Sequence, residues 1–225
     1  MMPRHGVIFD LDDTLADTLP DITEAVNEVL RWAGLPTHDA GDYRRWVGHG
    51  MRQLLARAIA ATGAELTDAM IDRARANYRR MQLNQTRLYD GIPELLDALD
   101  RRNVPMAVLT NKPHELAAAM VEALCGSGRF VAVAGDRFDG RQKPDPAEAL
   151  RLAEAMDLVP ADVVLLGDSD VDIRTARNAG MVSVAATWGS RDREALTPLR
   201  PDHLIDRPAE LLALPELGDG PSGTA

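Results

Sequence analysis

The spacing of apolar residues changes its period twice along the chain. Val7-Ile8-Phe9 is a short unbroken apolar run, β-branched or aromatic throughout, and it stops abruptly at Asp10. Such a run predicts a strand covered on both faces, the usual state of strands in parallel sheets. The next stretch has helical periodicity. Ile22, Ala25, Val26, Val29 and Leu30 predict one helix, with Asp21 and Glu24 spaced as a capping box and Gly34-Leu35-Pro36 as its stop. Met51, Leu54, Leu55, Ala58 and Ile59 predict a second helix after Gly48-His49-Gly50. Met70, Ile71, Ala74, Tyr78 and Met81 predict a third, from Thr67 to about Gln85.

No strand pattern interrupts the segment between Leu15 and Leu88. From Gly91 onward, strands and helices alternate. Strands are predicted at Val104–Leu109, Phe130–Val133, Val163–Leu166 and Val182–Ala186, with a last edge strand at His203–Ile205. Helices are predicted after Pro93, over His114–Leu124, after Asp145-Pro146-Ala147-Glu148, and from Asp168 to Gly180. This alternation predicts an α/β fold: a doubly wound, mostly parallel, Rossmann-like sheet. A βαβ unit needs roughly 30 residues, so the strand-free excess reads as an inserted α-helical cap domain. The division is 1–16 and 88–215 for the core and 17–87 for the cap, with hinges near Ala16–Thr18 and Arg87–Asp90. The Gly/Pro/Ser-rich stretch 216–225 reads as a frayed tail.

Composition narrows the function classes. A net charge of −10 argues against nucleic acid and anionic membranes as partners. No apolar run approaches the ~20 residues of a membrane span, and the N-terminal run is too short for a signal peptide. The single cysteine, Cys125, excludes an internal disulfide and suits a reducing, cytoplasmic setting. The sequence leaves the oligomeric state open. Of 25 basic residues only Lys112 and Lys143 are lysines and the rest are arginines. Lysine so scarce suggests positions where a compact ammonium does what guanidinium cannot.

The chemistry gathers where predicted strands end. Asp10 and Asp12 follow the first strand, Thr110 and Asn111 follow the second, Lys143 precedes a capped helix, and Asp168 and Asp172 follow Val163–Leu166. Parallel strands bring these ends to one edge of the sheet. Together they offer a carboxylate cage for a hard divalent cation, a hydroxyl with backbone donors, and one ammonium. Mg²⁺ prefers oxygen ligands and is commonly shared with phosphate.

Asp10-Leu-Asp12-Asp-Thr14-Leu15, Thr110-Asn111, Lys143-Pro144-Asp145-Pro146 and Gly167-Asp168-Ser-Asp-Val-Asp172 resemble the four motifs of the haloacid dehalogenase superfamily, from about Val7 to Leu214. Leu19-Pro-Asp21, Trp46-Val-Gly48-His-Gly50, Tyr89-Asp-Gly91 and Thr110-Asn-Lys112 look most like its phosphoglycolate phosphatases. Those more often carry Gly at position 13 and Pro at position 90, where this chain has Asp twice. The resemblance implies a phosphatase acting on a small phosphomonoester. It makes Asp10 the nucleophile and Asp12 the acid and base. It gives Mg²⁺ to Asp10, Asp168 and the Asp12 carbonyl, with Asp172 at the metal site positioning bound water, and the phosphoryl group to Thr110, Asn111 and Lys143. Arg45, His49 and Arg52 are the candidates for contacting substrate from the cap.

Other readings stay open. A sugar phosphomutase or a pyrophosphatase would share the same core, and a receiver-like signalling protein or a non-catalytic phosphate-binding protein belongs to a different class. The absence of lysine between Thr14 and Tyr89 argues against a Schiff-base phosphonate hydrolase, and Asp12 argues against a dehalogenase. Replacing Lys143 with arginine is expected to lower activity while barely changing stability.

Overall fold

A computed structural model describes residues 5–217. The chain runs β1 (Gly6–Phe9), β2 (Ala16–Asp17), α1 (Leu19–Trp32), α2 (Ala40–Trp46), α3 (Met51–Ala60), α4 (Asp68–Met81) and β3 (Arg87–Leu88). It continues through α5 (Ile92–Arg101), β4 (Met106–Pro113), α6 (His114–Cys125), β5 (Ala132–Asp136), α7 (Ala147–Ala155) and β6 (Val163–Gly167). The last elements are α8 (Asp170–Ala179), β7 (Val182–Ala186), α9 (Arg193–Leu196) and β8 (His203–Ile205). Six strands form one parallel sheet in the order β5-β4-β1-β6-β7-β8. β1 lies between β4 and β6, where successive connections leave in opposite directions, and ligands of open α/β sheets bind at such a switch point.

The apolar run of β1 is covered on both faces, as its composition requires. Val7 and Phe9 enter one cluster with Leu95, Leu99, Met120 and Leu166, while Ile8 faces the other with Leu109, Leu152, Leu165 and Ala176. Helices α1 to α4 carry a third cluster of their own, including Val26, Leu30, Tyr43, Leu55, Ile59 and Tyr78. Its two connections to the sheet domain pair with each other as antiparallel strands, Ala16 opposite Leu88 and Asp17 opposite Arg87.

Local differences from the pattern have physical reasons. The capping box at Asp21 does not form. α1 starts earlier, with Thr18 at its N-cap and proline in its first turn, where a missing N–H costs nothing. The buried Asp21 carboxylate instead accepts from the Gln85 and Thr86 N–H groups and the Thr86 hydroxyl, tying the outgoing connection to α1. Helix α2 buries only Tyr43 and so shows no periodic stripe; its start is fixed by Asp39, which accepts from Asp42 N–H at 3.0 Å. β4 runs on through Thr110-Asn111-Lys112, past a register break opposite β5 between Leu109 and Pro113. β5 begins later than its apolar run, because Phe130 packs edge-on against Phe9 at 6.3 Å instead of joining the ladder. At the expected tail, Glu216 meets His203 at 3.0 Å, and Leu217 is buried with its carbonyl accepting from Arg102 at 3.0 Å. Residues 218–225 lie outside the described part.

Cys125 closes α6, half-buried, and burial pushes its thiol up to about 11 against the opposing pull of Arg129. At pH 7.5 fewer than about one thiol in a thousand is then thiolate, the reactive form. Iodoacetamide is expected to leave the native protein almost unlabelled over a period that fully alkylates the unfolded chain. Equal labelling rates would contradict this placement.

Candidate active site

The C-terminal edge of the sheet collects the acidic residues. Asp10 directly follows β1, and its Oδ1 accepts from Leu11 N–H at 2.7 Å and from Lys143 Nζ at 2.8 Å. Lys143 Nζ also lies 2.6 Å from Asp172 Oδ1. Asp172 sits in the first turn of α8, where its Oδ2 accepts from the Ser169 N–H at 3.1 Å and hydroxyl at 2.6 Å. Asp168 follows β6, accepting from Thr14 Oγ1 at 3.2 Å, from Ser190 N–H at 2.7 Å and from the Ser190 hydroxyl. The approach of Ser190 depends on Gly189, where a Cβ would stand 2.2 Å from the Asp13 carbonyl and 2.4 Å from Asp168 Cβ.

Asp10, Asp168 and Asp172 bring one carboxylate oxygen each to within 4.8 Å of one another, all buried. Burial, the strongest influence, lifts the Asp10 carboxyl well above the usual range; Lys143 opposes it, and Asp172 and Asp168 add to it. Asp168 is pushed up to about 6, first by burial and then by Asp172, against the hydrogen bonds of Ser190. Burial alone would lower Lys143, but Asp10 and Asp172 outweigh it and hold its pKa above the ordinary lysine value. One ammonium among three buried carboxylates leaves the cluster short of positive charge. Oxygen donors in this arrangement fit a hard divalent cation, which would supply it.

Asp13 belongs to the same neighbourhood. Its backbone is left-handed, at φ 62°, and its buried carboxylate has no hydrogen-bond partner among the described residues. Burial raises its pKa well above the usual range, reinforced by Asp168, Asp12, Asp17 and Asp10. A carboxyl whose folded pKa is raised costs stability as pH climbs past its unfolded value. Asp13→Gly removes that cost and relaxes the backbone, and these gains outweigh the extra chain entropy that glycine loses on folding. The variant is expected to gain about 1 kcal/mol in metal-free denaturant melts, more at pH 8 than at pH 5. A lower midpoint at pH 8 would contradict this.

The opposite wall is built from β4 and the cap. The Thr110 hydroxyl accepts from Lys112 N–H at 3.2 Å, which leaves its own O–H free to donate. The Asn111 side chain accepts from Lys143 N–H at 2.8 Å and donates to the Lys143 carbonyl at 3.1 Å and the Gly48 carbonyl at 3.2 Å. It thus fixes the lysine and touches the cap. Lys112 Nζ donates to Asp12 Oδ1 at 2.6 Å and to the Tyr78 hydroxyl on α4, and lies 4.6 Å from the centre of the Tyr78 ring. Arg191, beyond β7, donates to the carbonyls of Arg44, Arg45 and Val47 at the end of α2. A cleft remains between core and cap, lined by Asp10, Asp12, Thr110, Lys143, Gly48 and Met51 among others.

Asp10, Asp12, Thr110, Asn111, Lys143 and Asp168 all line this cleft, and Asp172 lies directly behind it on Lys143. The cap candidates do not. Arg45 is exposed, pairs with Asp42 one turn back on its own helix, and lies outside the lining. His49 is half-buried, with Nδ1 lacking a partner among the described residues; burial and then Arg57, Arg191 and Arg174 lower its pKa, and it too lies outside the lining. Arg52 is exposed. Lys112, Tyr78 and Ser190 have no assigned role in the sequence reading. Lysine scarcity singled out Lys112, whereas Tyr78 read as one more apolar residue of its stripe and Ser190 carried no signal.

A parallel sheet ending in this acidic cluster, beside four helices with an apolar cluster of their own, is the arrangement of a haloacid dehalogenase-type hydrolase. Residues 5–180 match that family, haloacid dehalogenase-like hydrolase, and the chain belongs to it. Two of its relatives are called phosphoglycolate phosphatase. The one from Agrobacterium fabrum is 38% identical over 88% of this chain and 87% of its own length. The one from Xanthomonas campestris pv. campestris is 34% identical over 93% and 95%. A crystal structure of a predicted phosphoglycolate phosphatase from Haemophilus somnus superposes with a TM-score of 0.86 at 28% identity, covering 95% of this chain and 98% of that one.

Proposed function

We propose that this chain is a Mg²⁺-dependent phosphomonoesterase that works through an aspartyl-phosphate on Asp10. The observation that carries the reading is the ammonium of Lys143 held between Asp10 and Asp172, beside Asp168, at the floor of the capped cleft. Asp10 Oδ1 is occupied by Leu11 and Lys143, so Oδ2 is the oxygen left to attack phosphorus. The P–O bond to the alcohol breaks as the Asp10–phosphorus bond forms, and Asp12 gives its proton to the departing oxygen. Water then attacks phosphorus, Asp12 takes its proton, and the bond to Asp10 breaks. Thr110 and Lys143 donate to phosphoryl oxygens as charge redistributes. Asp10, Asp168, Asp172 and the Asp12 carbonyl would hold Mg²⁺. Its charge would let the anionic carboxylate and phosphate approach each other.

The favoured substrate is a small anionic ester, 2-phosphoglycolate, the compound named for both relatives. Phosphate release from 2-phosphoglycolate, sugar phosphates, nucleotides and pyrophosphate, with and without Mg²⁺, tests it. The expected result is metal-dependent release with 2-phosphoglycolate highest in kcat/KM. Release from none of them would overturn the phosphatase reading, and a poor rate on 2-phosphoglycolate alone would overturn only the substrate. Asp168→Asn is expected to raise the Mg²⁺ concentration for half-maximal activity at least about tenfold, with partial recovery at high metal. Unchanged metal dependence would remove Asp168 from the cation.

A further inference from the structure

Two ammonium groups line the cleft, and one of them is already committed. Lys143 lies between Asp10 and Asp172 on the phosphoryl side. Lys112 stands on the other side, its side chain only 2% exposed, against Asp12 and the Tyr78 hydroxyl. An ammonium has three N–H donors. Among the described residues two have acceptors, and the third has none.

The place of Lys112 relative to the reaction gives that donor a use. In the reading above, Asp12 hands a proton to the oxygen leaving phosphorus. Whatever that oxygen carries must therefore lie beside Asp12, within reach of a group 2.6 Å from its carboxylate. Apart from Tyr78, the residues that α1 to α4 and the turns between them bring to the lining are apolar or small: Ile22, Val47, Met51 and Leu54 with Gly48 and Gly50. The arginines expected to supply charge from the cap lie outside the lining. A neutral alcohol would use none of the charge placed there.

We propose that Lys112, held by Tyr78, reads an acidic group on the leaving alcohol, so that the cleft selects phosphate esters of small hydroxy acids. Specificity for charge then comes from a core strand, and the cap contributes the hydroxyl that holds the ammonium in place. The proposal rests on the phosphomonoesterase reading of the same site and says which part of the substrate is recognised, and by what.

The test compares 2-phosphoglycolate with 2-hydroxyethyl phosphate, which replaces the carboxylate with a hydroxymethyl group. Both release a primary alkoxide, so any effect through Asp12 is common to the two and cancels in their ratio. Wild-type enzyme is expected to favour the acid at least about tenfold in kcat/KM, the range of one charge-assisted hydrogen bond. Lys112→Met should bring the ratio to within about threefold of one, mainly through a raised KM for the acid, whereas Lys112→Arg should keep the preference while slowing both. Equal losses on both esters with Lys112→Met would overturn the proposal, as would a wild-type ratio near one. If Lys112→Met loses its cooperative melt, Tyr78→Phe decides: a ratio lowered about threefold supports the proposal, and an unchanged one overturns it. Hydrolysis of neither ester, nor of any other in the panel, would instead bring down the phosphomonoesterase reading.

Discussion

Asp10→Asn is expected to fold normally and to lose about four to six orders of magnitude in kcat, the scale seen when a nucleophile is removed without a substitute. The amide matches the carboxylate in size, so Leu11 N–H keeps an oxygen to donate to. Lys143 keeps Asp172 as an anionic partner at 2.6 Å. The carboxylate itself is held against burial and against Asp168 and Asp172, so neutralising it relieves repulsion as well as removing an ion pair. The metal-free variant should therefore melt within a few degrees of wild type. Steady-state phosphate release beside a thermal melt checks both halves. Turnover within a hundredfold of wild type would mean that phosphorus is attacked by something other than Asp10.

Lys143→Met is expected to fail in both respects. Among the described residues its ammonium is the one cation set directly between Asp10 and Asp172, and only 2% of the side chain is exposed. Removing one partner of a buried ion pair leaves an uncompensated charge, which typically costs about 3–5 kcal/mol. The small change in stability expected of Lys143→Arg does not extend to this variant, because arginine keeps the charge beside the two buried carboxylates and methionine removes it. A residue at a cleft can still be the counter-ion of two buried carboxylates. Activity should fall at least about a thousandfold, since a donor to the phosphoryl group is lost together with the positioning of the nucleophile. Lys143→Arg restores the charge but not the shape; a planar fork in a space set by contacts of 2.6 and 2.8 Å should still cost at least about tenfold. A variant with the stability and kinetics of wild type would return Lys143 to the status of an incidental charge. Urea melts without metal, compared with melts at saturating Mg²⁺, separate the two contributions: the deficit in stability should shrink when the cation supplies positive charge to the same carboxylates.

Much of this site was legible because its residues sit where secondary structure changes. The apolar run ending at Asp10 and the run ending at Gly167-Asp168 declare both a buried strand and a polar end, and parallel topology brings such ends together. The long helical interval became α1 to α4, between the short strands β2 and β3. What the pattern left out depends on pairings distant in sequence. Ser190 reaches Asp168 across 22 positions through a close approach at Gly189, and Tyr78 reaches Lys112 across 34. Neither contact leaves a periodic trace. Arg45 and His49 misled for a simpler reason: one precedes the Gly48–Gly50 turn and the other lies within it, but it is Gly48 and Gly50 that enter the cleft, while Arg45 turns back along α2 to Asp42. The capping box at Asp21 misled because the same carboxylate had a better use, three donors from the Gln85–Thr86 segment. The lysine count pointed beyond the motifs, since both lysines of the chain are buried in the site.

The covalent step is the centre of the account, and it can be observed directly. Enzyme turning over 2-phosphoglycolate with Mg²⁺ is quenched in acid within the time of a single turnover and digested, and the peptides are weighed. Parallel samples are reduced with borohydride, which converts an acyl phosphate of aspartate to homoserine. The account predicts one phosphoryl group on the peptide containing Asp10, homoserine at position 10 after reduction, and neither in Asp10→Asn. Continued turnover with no adduct at any quench time, or an adduct on another residue, would contradict it.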